Sequence, residues 1–137
     1  LPLAQREGWT FLVTADAWPQ IPDRTRFRQV PEGYEGYHDL IAAADVVVGK
    51  AGGSTVSECV AHRTAMIYTI RPDYTENQLL DAALRRFANS HFVKPDEFEA
   101  GSWADVLDWI VQRDFTWPQI RTDGVAVVAD RLMDFLA

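Results

Sequence analysis

Two short stretches hold the residues whose types and spacing could do chemistry. The first is Gly52-Gly53-Ser54-Thr55 with Glu58, directly after Ala44-Asp45-Val46-Val47-Val48-Gly49-Lys50-Ala51. An apolar β-branched run, two glycines and a helix start together present backbone N–H groups and a positive dipole end to an anion. Glycine lacks a Cβ, so a phosphate can approach the main chain closely. Thr55 stands three residues before Glu58, a spacing that predicts a capping box at the helix start. The same residues also suit an ordinary strand-to-helix turn in which Thr55 and Glu58 only cap each other. The second stretch is Asp73-Tyr74-Thr75-Glu76-Asn77-Gln78, where Thr75 and Gln78 repeat the capping spacing. Its amide and carboxylate groups suit hydroxyl-rich ligands, because a hydroxyl both donates and accepts a hydrogen bond.

Other chemistries find less support. There is no G-x-G-x-x-G, and Lys50 precedes the glycines where a P-loop lysine would follow them. His38, His62 and His91 are far apart, and no D-x-D spacing is available to hold a metal on a diphosphate. No metal ion and no cofactor are therefore expected. His62 reads as a solvent-facing helix end, and no nucleophile with a neighbouring base stands out.

The elements around these stretches alternate. Strands are expected at Trp9–Thr14, at Arg26–Val30 near a sheet edge, through Val46, at Ala65–Ile70 and at His91–Lys94. Helices are expected from Tyr37 to Ala44, from Thr55 to about Ala61 and through Leu79, Leu80, Ala83, Leu84 and Phe87. A further helix starts at Ser102, with Val106, Leu107, Ile110 and Val111 on one side. A last helix runs from about Thr122, with a stripe of Val125, Val128, Ala129, Leu132 and Phe135. Strand–helix alternation predicts an α/β fold, a Rossmann-like, mainly parallel sheet of about five strands flanked by helices. In such a sheet the strands through Val46 and Met66 should be adjacent and central.

Composition bounds the rest. The chain has 137 residues, 47% hydrophobic and 24% charged, enough for one domain with a real core. A net charge of −7 disfavours nucleic acid and anionic membrane as main partners. The single cysteine, Cys59, fits a reducing cytoplasm and reads as a small buried hydrophobe. No apolar run approaches the ~20 residues of a membrane span. Leu1–Gly8 reads like the tail of a helix with no strand before it, and no methionine opens the chain. Residues 1–137 are thus expected to be one ligand-binding domain, a piece of a longer two-domain protein.

The run A-D-V-V-V-G-K-A-G-G-S-T-V-S-E-C, the buried strand after it and the E-N-Q opening the next helix resemble a known pattern. They resemble the C-terminal, nucleotide-sugar-binding half of the GT-B glycosyltransferases, family 28 above all. That family's best-known member adds N-acetylglucosamine to the lipid-linked peptidoglycan precursor. The resemblance covers roughly Phe11 to Val93. It implies that Gly52, Gly53, Ser54 and Thr55 hold the donor diphosphate and that Glu58 binds the ribose hydroxyls. It implies further that Asn77 and Gln78 contact the donor sugar or the diphosphate side. The Tyr34 to Tyr37 loop falls where the family cradles the base. The implied activity is an inverting, metal-independent hexosyl transfer from a nucleotide-sugar, a UDP-sugar, to an acceptor.

Departures from the pattern also matter. The first strand and glycine-rich loop of such a domain are missing here. In the order 3-2-1-4-5-6 that strand lies between the Phe11 and Val46 strands, so a gap opens there or the two close up. The acceptor-binding half, with the family's general base, is absent too, so no catalytic residue is assigned and the fragment alone should turn over nothing. Exposed apolar surface at the missing contacts predicts a homodimer. A nucleotide-sugar hydrolase and a non-catalytic interaction domain are the alternatives, the second disfavoured because packing alone has no need for Glu58, Asn77 and Gln78 together.

Overall fold

The structure is a computed structural model that describes residues 3–14 and 16–136. The N-terminal stretch forms one 3-10 turn, Leu3–Gln5, and Gly8 takes a left-handed φ of 80°. Leu1 and Pro2 of the expected helix tail lie outside the described residues. Arg6 anchors this stretch. It is only 8% exposed, and its guanidinium donates to Asp105 at 2.7 Å and Asp108 at 2.9 Å. Trp9 Nε1 reaches the other oxygen of Asp108 at 2.8 Å.

Among the described residues five strands follow, all in parallel pairs: β1 (Phe11–Val13), β2 (Phe27–Gln29), β3 (Val46–Lys50), β4 (Ala65–Thr69) and β5 (Ser90–Phe92). The α/β class and the β3–β4 adjacency are as expected. The single sheet is not. The strands divide into a two-stranded sheet, β1-β2, and a three-stranded one, β3-β4-β5. β3 is therefore an edge strand, and β4 is the central one. β1 and β3, expected either side of one absent strand, are not hydrogen-bonded to each other.

Helices α1 (Tyr37–Ala43), α2 (Gly53–His62) and α3 (Asn77–Phe87) cross between the strands. One core cluster lies on their side of the sheet and includes Ile41, Val56, Cys59, Met66, Tyr68 and Leu84. A second lies on the opposite face, where Ala65 and Ile67 meet Val93, Leu107 and Ile110. The alternation of Met66 and Tyr68 with Ala65 and Ile67 sends successive β4 side chains to opposite faces. All five β4 residues are buried, as a strand covered on both sides requires.

The C-terminal third departs further from expectation. A short helix, α4 (Pro95–Glu99), was not anticipated. Ser102 opens a 3-10 turn rather than capping a helix, and α5 (Val106–Gln112) begins after Asp105. Leu107 and Ile110 of α5 are buried, whereas Val111 faces out. In α3, Leu79 is 73% exposed and drops out of the inward stripe. The last helix, α6 (Gly124–Leu136), leaves its apolar stripe in solvent, with Val125 at 88% and Phe135 at 87% exposure. No α6 residue is fully buried.

Candidate functional site

The glycine turn is built by ladder extension. Ala51 N–H donates to Thr69 O at 2.8 Å, so pairing with β4 continues one residue past β3. Only Gly52 then remains to turn the chain, extended at φ −132° and ψ 149°, and it is the N-cap of α2. The helix starts at Gly53, two residues before the expected start. Thr55 is therefore already inside the first turn, and neither expected capping pair forms: no side chain caps α2, and none caps α3. Val56 N–H closes the first intrahelical bond to Gly52 O at 2.9 Å. The N–H groups of Gly53, Ser54 and Thr55 precede it and have no intrahelical acceptor.

Neither glycine is demanded by the fold. Both have φ outside the left-handed region, and a Cβ at either position would meet nothing within 4 Å. What they leave is open space beside a ten-residue helix N-terminus, where the dipole favours an anion.

Glu58 lies one turn on and half-buried. Its Oε2 is 3.2 Å from His62 Nε2, one turn further along the same face. His62 is exposed at the end of α2, the solvent-facing helix end expected, with the Glu58 carboxylate as its neighbour. Cys59, beside Glu58, is fully buried, and burial with the adjacent Glu58 charge pushes its thiol up to about 12.

Asn77 opens α3 after a loop in which Asp73 takes a left-handed φ of 59°. The Asn77 side-chain amide donates to Arg71 O at 2.5 Å, which leaves its carbonyl Oδ1 buried without a partner. Thr69 Oγ1, at the end of β4, is a second buried oxygen without one. Gln78 is exposed. The Arg71 guanidinium lies 5.4 Å from the Tyr74 ring centre and adds a cation to this loop. Helices α2 and α3 pack on each other, and each follows the C-terminal end of one of two paired parallel strands. The two stretches accordingly share one sheet edge.

A cavity of about 500 Å³ opens beyond the ends of β1 and β2. It is lined by Tyr34 and Tyr37 with Thr14, Asp16, Val30 and Glu32 among others. The Tyr34 ring folds over Gly36, its hydroxyl 2.8 Å from where a Cβ would sit. Hydrogen bonds from the Thr14 hydroxyl and nearby backbone N–H groups hold the Asp16 carboxyl below the usual carboxylate range. The structure brings Tyr34 and Tyr37 together here, whereas Gly52, Gly53, Ser54, Thr55, Glu58, Asn77 and Gln78 lie outside the cavity lining. Thr14, Asp16 and Glu32 escaped the sequence reading. Their position just past strand ends is the same signal that exposed the other two loops. Among the described residues no three His, Cys, Asp or Glu side chains gather in a group able to hold a metal ion.

Residues 32–89 match the family model described as Glycosyltransferase family 28 C-terminal domain. The match spans less than half of the chain, and over that span the chain is similar to this family. The matched span runs from the Tyr34–Tyr37 loop through the glycine turn to the start of β5, so it contains both helix N-termini. No curated protein and no solved structure matches the chain. Among the described residues, no helix is long and apolar enough to cross a membrane.

Proposed function

We propose that this family 28-like domain binds a UDP-sugar along the C-terminal ends of its strands. In this reading the whole protein is a cytoplasmic enzyme that transfers the hexosyl group with inversion and without a metal ion. The observation that carries the reading is the uncapped start of α2, with the open space that Gly52 and Gly53 leave beside it. In the proposed pose the amides of Gly53, Ser54 and Thr55 take the diphosphate, and Glu58 accepts from the ribose hydroxyls. Asn77 and Gln78 face the sugar, where the unpartnered Asn77 Oδ1 can accept from a hydroxyl. Tyr34 and Tyr37 frame the base in a cavity of a size usual for small-ligand pockets.

The chemistry follows from charge. The acceptor oxygen attacks the anomeric carbon as the bond to the diphosphate breaks, and negative charge grows on the leaving diphosphate. A fixed helix N-terminus stabilises that charge without reorganising. The base that takes the acceptor proton belongs to the acceptor-binding half, which this reading places in the rest of the protein. The exposed apolar stripe of α6 supports a contact with a second copy of the chain.

Glu58→Gln tests the donor site. It exchanges a charged acceptor for a neutral one, worth about 1–2 kcal/mol of UDP affinity, or roughly five- to thirty-fold in Kd. The exposed contact with His62 is worth at most a few tenths of a kcal/mol, so the melting temperature should hold. Calorimetry showing equal UDP affinity in both proteins would remove Glu58 from the site.

A further inference from the structure

The donor-side loops stand at the C-terminal edge of the three-stranded sheet, and the opposite edge has a cavity of its own. It holds about 200 Å³, and every strand contributes to it from its start. Asp45 precedes β3, Arg63 and Ala65 stand at the start of β4, and Asn89 precedes β5. The segment after α5 lines the other side. Ile110 belongs to the core cluster on one face of the sheet, whereas Trp117 packs against the cluster on the other face. Residues 111–117 therefore wrap round the starts of the strands, and Arg113, Phe115 and Trp117 line the cavity from there.

The polar groups of this cavity lack partners within the described chain. Asn89 is only 6% exposed. Its amide donates to Ile110 O at 2.7 Å, and its carbonyl Oδ1 is buried with no donor to accept from. A buried acceptor left so costs its desolvation, which a bound donor would offset. Asp45, Arg63 and Arg113 share the cavity, yet no ion pair joins them among the described residues. Both arginines are C-cap residues, Arg63 of α2 and Arg113 of α5. A helix C-terminus favours a cation, which accounts for their charge but not for the rings around them. The Arg113 guanidinium lies 5.2 Å from the Trp109 ring centre and 5.5 Å from that of Phe115. Phe115 and Trp117 in turn meet edge to face at 5.1 Å. The guanidinium is thus held in place beside an apolar wall.

Each group constrains the ligand. A planar guanidinium takes a carboxylate through two parallel bonds. The Asp45 carboxylate and the Asn89 carbonyl only accept, so they call for N–H donors, and an ammonium group has three. The volume is below the roughly 300–1,000 Å³ of drug-sized pockets, so the ligand is small. We propose that this cavity binds a free α-amino acid with an apolar side chain. Its carboxylate meets Arg63 and Arg113, its ammonium group meets Asp45 and Asn89 Oδ1, and its side chain rests on Phe115 and Trp117. The inference is independent of the donor-site reading, because the two sites lie at opposite edges of the sheet and share no residue.

The probe is L-leucine. Its controls are 4-methylpentanoic acid, which lacks the ammonium group, and 3-methylbutylamine, which lacks the carboxylate. On the ¹⁵N-labelled full chain leucine should move the Trp117 indole N–H and the Arg113 Nε–H resonances saturably. Each control should bind at least tenfold more weakly. Arg113→Gln and Asp45→Asn each remove an exposed charge, so both should keep the melting temperature and weaken leucine binding at least tenfold. If one variant does not fold the other decides, and the two controls on the unaltered chain decide without either. No saturable shift, a control that binds as well as leucine, or unaltered affinity in a folded variant overturns the proposal. Leucine that moves the Gly53 to Thr55 amides and leaves the Trp117 indole in place also overturns it, since the ligand then sits at the other edge.

Discussion

Gly53→Ala separates the two roles a glycine can have at the start of α2. Gly53 is the first residue of a ten-residue helix, its φ is not left-handed, and an added Cβ would meet nothing within 4 Å. The folded state can therefore accept alanine without strain. The unfolded chain loses backbone freedom, so the substitution should stabilise by about 0.4–1 kcal/mol. For a chain of 137 residues this is a rise of roughly 1–4 °C in melting temperature, read by circular dichroism. The same methyl group occupies the space through which a diphosphate would approach the main chain. UDP affinity, measured by calorimetry on the same samples, should fall at least tenfold. A more stable protein that binds UDP less well is a signature packing alone does not produce. A lower melting temperature would refute the helix start at Gly53, and unchanged affinity would refute the approach over the glycines.

Other consequences can be read from single residues. Arg6→Ala removes a buried guanidinium and two charge-assisted bonds while its carboxylate partners stay solvated, so urea unfolding should show a loss of about 2–3 kcal/mol. The Cys59 thiol, buried and pushed up to about 12, should resist alkylation at pH 8 in the native chain and react once urea unfolds it. Asp81 is held below the usual carboxylate range by the Arg85 guanidinium first and the Tyr68 hydroxyl second. A depressed folded pKa means its contribution is complete above the unfolded value of about 3.9 and is lost as pH falls through the folded one. Melting temperature between pH 5 and 2 should therefore fall less steeply in Asp81→Asn than in the unaltered chain.

The fold was legible where one periodicity and one breaker agree. Val46–Lys50 and Ala65–Thr69 are continuous apolar runs between turn residues, and they pair in parallel as their composition requires. Helix starts were less legible because the capping spacing is blind to how far a ladder runs on. The Ala51 bond to Thr69 leaves Gly52 alone to turn the chain, and no Ser/Thr-x-x-Glu/Gln pattern records that. The stripe of α6 shows a different limit, since periodicity predicts an apolar face without saying what covers it. The pocket residues Thr14, Asp16 and Glu32 sit just past strand ends, but only the pairing of β1 with β2 brings them together.

The central claim is that the exposed N–H groups at the start of α2 hold a diphosphate. The most direct measurement follows the ¹⁵N-labelled chain by amide chemical shift as UDP, and separately uridine, is added. The account predicts that UDP moves the resonances of Gly53, Ser54 and Thr55 saturably, whereas uridine leaves those three in place and perturbs only the Tyr34–Tyr37 loop. UDP binding that leaves all three amides unmoved would contradict it.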